Sequence, residues 1–176
     1  MRVWGPLVRV LHWGLATSVI VAFFTHEGPE IVHNTFGYAA LAIALTRIVV
    51  GFAGGGYARF GNFMASPSAT WVYARAVLEN REMHYVGHNP LGAWMIVVLL
   101  ASVVITTGSG WMLDTDAWFG DELVERVHSF FGYLFAPLVV LHVGGVIFTS
   151  YRQHENLVTA MITGRKAIKE QARKDE

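Results

Sequence analysis

The sequence predicts an all-α protein, a four-helix transmembrane bundle with both termini cytoplasmic. Three observations carry this expectation. The 176 residues contain four long apolar stretches, at about 7–26, 35–53, 91–112 and 127–150. Charged residues make up 15% of the chain, against about 25% in soluble domains. Basic residues collect in alternate connections between the apolar stretches. Each stretch is close to the ~20 residues that a helix rising ~1.5 Å per residue needs to cross ~30 Å of hydrocarbon.

The first span carries Arg9 and His12 within its apolar run. A secretory signal peptide is the rival reading. The run is too long for one, tryptophans flank it, and no small-residue cleavage site appears before Glu27. The second span contains Arg47 and the third has no charge at all. The fourth contains His128, Pro137 and His142.

Eleven of the 13 basic residues fall on one side of these spans: Arg2 and Arg9 at the start; Arg59, Arg75 and Arg81 between the second and third; and Arg152, Arg165, Lys166, Lys169, Arg173 and Lys174 after the fourth. Arg47 sits near that side, leaving Arg126 alone on the other. There the connections carry Glu27, Glu30, Asp114, Asp116, Asp121, Glu122 and Glu125. Positive charge stays inside, so both termini are expected in the cytoplasm. Residues 54–90 then form a cytoplasmic linker and 151–176 a cytoplasmic tail, all within one membrane domain, 1–176. The linker opens on Gly54-Gly55-Gly56 and closes on Asn89-Pro90, with a short interfacial helix expected around Trp71 to Leu78. The last dozen residues are polar and read as a frayed end or a short surface helix. Trp4, Trp13, Trp94, Trp111 and Trp118 lie near span ends, where aromatic anchors belong.

The chain has no cysteine. This excludes thiolate nucleophiles, disulfides, cysteine-ligated iron–sulfur clusters and covalent c-type haem. Zero formal net charge offers no overall attraction to nucleic acid.

Among eight histidines, His12 and His142 lie inside apolar spans, and His33 and His128 at span entrances. Ionisable groups in a bilayer are costly and mark function by default, although a histidine hydrogen-bonded between helices is the bland alternative. His128 and His142 are 14 residues apart. At ~100° per residue that spacing falls ~40° short of four turns, so both rings leave one helix face, roughly 21 Å apart along the axis. Two ligands stacked in this way suit two haems. The first span runs antiparallel to the fourth and puts His12 at the depth of His142; the second begins on the outer side and puts His33 at the depth of His128. Two bis-histidine sites follow, His12 with His142 and His33 with His128, with neutral imidazoles on iron. His26, 14 residues after His12, is the rival to His33, but it stands beside Glu27, Gly28 and Pro29 in loop-like sequence.

The second span opens with HNTFGY and the fourth with HSFFGY. In both, a glycine, Gly37 or Gly132, follows the histidine by one turn on the same face, leaving room for a macrocycle to approach the backbone. Gly14, Gly144 and Gly145 stand similarly beside His12 and His142, with helix–helix packing as the ordinary alternative. Arg47 is 14 residues after His33, on the same face at the depth of His12–His142. A buried arginine needs an anion, no span supplies an acidic side chain, and a haem propionate matches a guanidinium bidentately. The alternative is snorkelling to the nearby surface. Arg9 is a weaker candidate of the same kind, and Arg126 a candidate for the outer haem. His84 and His154 read as surface histidines. His88 stands close enough to the third span to touch a haem edge or a quinone.

With RVWGPLVRVLHW, LTRIVVGF, GHNPLGAWM, VLHVGGV and ENLVTAMITGRK added to the two histidine motifs, essentially the whole chain resembles the bacterial four-helix di-haem cytochrome b561 family. That family is related to the b-type cytochrome subunits of nickel–iron hydrogenases. The resemblance implies two noncovalent b haems between the first, second and fourth spans, with His12, His33, His128 and His142 as ligands and none in the third. It implies a multi-pass protein of the bacterial inner membrane, carrying electrons between the quinone pool and a redox partner, a cytochrome c or an oxidoreductase subunit. Quinol oxidoreductase activity is open on this reading, and no motif marks a quinone site. A cytochrome b anchor subunit of a larger oxidoreductase such as a hydrogenase shares every haem residue. A metal or proton transporter would use intramembrane histidines without pairing them by depth. A homodimer is compatible with the sequence.

Overall fold

The computed structural model describes residues 3–166. Arg2, Lys169, Arg173, Lys174 and the rest of the polar end beyond Lys166 lie outside them. Six α-helices run in the order α1 (Pro6–Phe24), α2 (Glu30–Ala53), α3 (Pro67–Leu78), α4 (Pro90–Leu113), α5 (Glu122–Gln153) and α6 (Leu157–Thr163), with no strand among the described residues. Four of them, α1, α2, α4 and α5, are long and apolar enough to cross a membrane.

Local chemistry sets their ends. Proline fills the first turn of α1, α3 and α4, where its missing N–H costs no hydrogen bond. Ser66 caps α3 through Ala69 N–H, and Asn89 caps α4 through Gly92 N–H at 2.7 Å. Asp121 accepts from Leu123 and Val124 N–H at the start of α5. Two helices outrun the apolar stretches that announced them. α2 begins at Glu30, whose charge suits the helix N-terminus. α5 has 32 residues, about 48 Å of helix, because the helix continues past the apolar stretch and through Pro137, which lacks one ladder donor.

Small residues make the tightest packing. Ala40 and Ala44, one turn apart on α2, meet Leu100 and Val103 of α4, with Leu15, Val19 and Ile48 around them. Small side chains at this spacing let membrane helices approach closely. The packing is uneven: α1 lies on α2, α2 on α4 and α4 on α5, while α5 barely touches α1 or α2. A cleft between α5 and the α1–α2 pair results.

Residues 3–5, the linker and α6 share one end of the bundle. Gly164, left-handed with φ 78°, closes α6 and accepts hydrogen bonds from Val3 and Trp4 N–H. Trp4 and Val3 pack with Ala160, Tyr57, Val86 and Met161. Arg152 pairs with Glu82 at 2.5 Å, tying the linker to the α5–α6 junction, and Lys166 lies 3.2 Å from Glu155 and donates to the Tyr85 carbonyl of the linker. Both short loops, 25–29 and 114–121, lie at the opposite end, where Tyr38 donates to Asp114.

Candidate functional site

α1, α2 and α5 bring four of the histidines together in two pairs across the cleft. The rings of His12 and His142 have centres 6.4 Å apart, and those of His33 and His128 6.1 Å. With metal–imidazole bonds of about 2.0 Å on each side, the centres of two axial rings stand roughly 6 Å apart. Both pairs therefore leave room for one metal atom and little else. Along α5 the two sites are 14 positions apart, from His128 to His142, roughly 21 Å.

At the His33 end the ring orientation is fixed by the backbone. His33 Nδ1 lies 2.9 Å from the Ala22 carbonyl of α1, and His128 Nδ1 lies 2.8 Å from the Thr106 carbonyl of α4. A carbonyl can only accept, so each neutral ring holds its hydrogen on Nδ1 and keeps the Nε2 lone pair for a metal. This is the arrangement by which a supporting acceptor orients a ligating histidine. His12 differs: its Nδ1 is buried without a hydrogen-bond partner, and the ring meets the edge of Trp13 at 5.1 Å.

Val19, Phe23, Ala40, Thr106 and Phe135 line a cleft around His33 and His128. Gly132 lines this cleft, and other glycines on these helices face open space. A Cβ added at Gly37, Gly144 or Gly145 would touch nothing within 4 Å, and one at Gly132 only Thr106 Cγ2 at 3.9 Å. These four positions are therefore not spent on packing between helices. Gly14 is, since a Cβ there would rest 3.4 Å from Ile43 of α2.

The other candidates sit as follows. Arg47 is 8% exposed, its guanidinium lies 4.9 Å from the Phe60 ring centre, and its Nη1 is buried without a partner. Phe60 comes from the linker, which doubles back over the end of α2. Arg9 donates to the Ile162 carbonyl at 2.5 Å, clasping α6, and its Nε is buried without a partner. Arg126 is exposed and lies 3.7 Å from Glu122 on its own helix. His26 borders the upper cleft, but its ring neighbours are Phe23 and Tyr133, and its Nδ1 bonds the Phe23 carbonyl at 2.7 Å. His88 packs between Trp4 and Phe63, with ring centres at 4.4 and 4.7 Å. Burial first, then the charge of Arg47, pushes its pKa down to about 3. His84 lies 3.5 Å from Glu155, and His154 ends α5 with a left-handed backbone. Sequence reasoning missed Thr106 and Gly110 of α4, which contact His128. It also missed Phe60 beneath Arg47. Nothing in a single sequence marks a backbone carbonyl as a ring's partner.

A family model described as prokaryotic cytochrome b561 matches residues 3–164. The chain belongs to that family. It is accordingly a multi-pass bacterial membrane cytochrome of the b type, binding haem b and working in electron transfer. No curated protein and no solved structure matches it. The residues present fit the cofactor: paired imidazoles at metal-bridging separation, a cleft with Gly132 in its wall, and a buried Arg47 Nη1 without a hydrogen-bond partner, able to meet a carboxylate. Among the described residues no group of three or more His, Asp or Glu could hold a bare ion. A macrocycle supplies four ligands itself and needs only a pair.

Proposed function

We propose that this b561-family cytochrome carries electrons across the bacterial inner membrane through two b haems, one between His12 and His142 and one between His33 and His128. The observation that carries the reading is the pair of ring separations, 6.4 and 6.1 Å, at two depths of one cleft. Bound haem iron supplies the one-electron redox chemistry. The chain supplies the rest. The Ala22 and Thr106 carbonyls hold the His33 and His128 rings with Nε2 facing the cleft. Gly37 and Gly132, each one turn beyond its histidine, keep the helix surfaces flat where a macrocycle would lie. Arg47 provides a guanidinium for a propionate at the His12 end; Arg9 is a weaker candidate there and Arg126 a candidate at the other end. The apolar walls exclude water, so little solvent reorganises when charge moves.

The termini and residues 54–90 face the cytoplasm on this reading, in line with the clustering of Arg59, Arg75, Arg81, Arg152 and Arg165 at that end. Electrons are exchanged with the quinone pool and with a redox partner, a cytochrome c or an oxidoreductase subunit. Purified protein should be red, with a reduced-minus-oxidised visible spectrum of b haem. Acid acetone should extract all of the haem, because no cysteine tethers it. Single alanine variants of the four ligands, scored for which haem is lost, test the pairing.

A further inference from the structure

α4 supplies no ligand, yet its surface is shaped around one. Where Gly110 faces α5, a Cβ would lie 2.9 Å from His128 Cε1 and 3.1 Å from His128 Nδ1. Real Cβ atoms essentially never approach that closely. The ring cannot give way cheaply, because its Nδ1–H is held 2.8 Å from the Thr106 carbonyl, one turn before Gly110 on the same helix. Ser109, buried between them, turns its Oγ back to the Ile105 and Thr106 carbonyls and stands 3.4 Å from the same ring nitrogen. Gly108, two residues away, has nothing within 4 Å of its Cβ position and makes no such contact.

We infer that Gly110 is a positioning residue for the His33–His128 haem: its missing side chain lets the His128 ring lie against α4, where the Thr106 carbonyl takes the Nδ1 hydrogen and aims Nε2 at the iron. This rests on the two-haem reading proposed above. The chemistry is that of a supporting acceptor. A hydrogen-bonded Nδ1–H makes imidazole a more basic ligand and favours ferric iron. A methyl group at 110 displaces the ring, breaks that bond and weakens the ligand. Changes to such supporting groups typically cost about 10–100-fold in metal affinity. If ferric affinity falls tenfold more than ferrous, the midpoint potential of that haem rises by about 59 mV.

The test compares wild type, Gly110→Ala, Gly108→Ala and His128→Ala, each purified in detergent, with haem counted and both midpoint potentials titrated. Wild type should hold two haems and His128→Ala one. If either fails, the two-haem reading falls. Given that result, Gly110→Ala should bind the second haem 10–100-fold more weakly, with its potential raised and the His12–His142 haem unchanged. Gly108→Ala should match wild type. Both potentials unchanged in Gly110→Ala, or both changed equally, would overturn the inference. Should Gly110→Ala fail to accumulate, Gly110→Ala/His128→Ala decides. Removing the ring makes room for the methyl group, so the double variant should fold and keep one haem as His128→Ala does. Failure of the double variant would make Gly110 a general packing residue and overturn the inference.

Discussion

At the His33–His128 end each ring donates its Nδ1 hydrogen to a carbonyl on a neighbouring helix, whereas at the other end the buried Nδ1 of His12 has no partner. The charges differ as well. Arg47 is buried at the His12–His142 end, while acidic residues, Asp114, Asp116 and Asp121, lie in the loop nearer His128. Both differences act in one direction. Hydrogen-bonded ligands and nearby anions favour ferric iron, and a buried cation favours ferrous. On the two-haem reading, the two sites are thereby expected to differ in potential, with the His12–His142 haem the easier to reduce.

The largest expected effect comes from the ligands themselves. His12→Ala and His142→Ala should each lose the same haem, and His33→Ala and His128→Ala the other. His26→Ala should leave both in place. A haem count and spectrum on each variant checks this. Haem loss in His26→Ala with retention in His33→Ala would reassign the upper site.

Next comes the cation. Arg47→Leu should lower the midpoint potential of the His12–His142 haem or weaken its retention. Breaking a buried ion pair costs about 3–5 kcal/mol. Arg47 is six residues from the end of α2, so water screens part of this and the lower end or below is expected. A redox titration should find the other haem unmoved. Equal shifts in both would mean a folding defect, and no shift with both haems retained would leave Arg47 with only Phe60 as its partner.

A smaller effect is the gap between the two wild-type potentials. The His12–His142 haem should titrate higher by at least about 59 mV, a tenfold bias in one-electron partition. A gap of the opposite sign would show that the ring hydrogen bonds and Arg47 do not govern the difference.

The smallest effect concerns His88. Its pKa falls from 6.5 unfolded to about 3 in place. Between those values the unfolded chain binds a proton that the folded chain does not. Stability from this group is therefore full above about pH 6.5 and declines as pH falls towards 3. Acid unfolding followed by fluorescence should show this loss in wild type and less of it in His88→Phe. An identical acid profile in the two would remove His88 from the account.

The spans were legible in the sequence because apolar run length reports them, and the histidine depths because they depend on helical repeat. Fourteen residues return a side chain to one face whatever surrounds it, so His128 and His142 could be aligned, and their partners matched, without coordinates. Helix ends were less legible. Apolar runs report hydrocarbon, whereas Asp121 and Glu30 mark where the backbone ladder begins in more polar surroundings. Least legible was the support of each ring. Gly37 and Gly132 announced themselves by a repeated motif, but Gly14 resembled them and proved to pack on Ile43. Gly110 and the Thr106 carbonyl gave no signal, because their role exists only once α4 and α5 are side by side. Arg9 likewise reads as a charge near His12, and only the fold reveals its hold on the Ile162 carbonyl.

The central claim is two haems in one chain, held by two histidine pairs. Haem counting on purified protein, joined to its reduced-minus-oxidised spectrum during a redox titration, tests it most directly. Two extractable b haems per chain, titrating as two components of which one is lost in His142→Ala and the other in His128→Ala, is the predicted result. One haem per chain, or a single component lost in both variants, would contradict it.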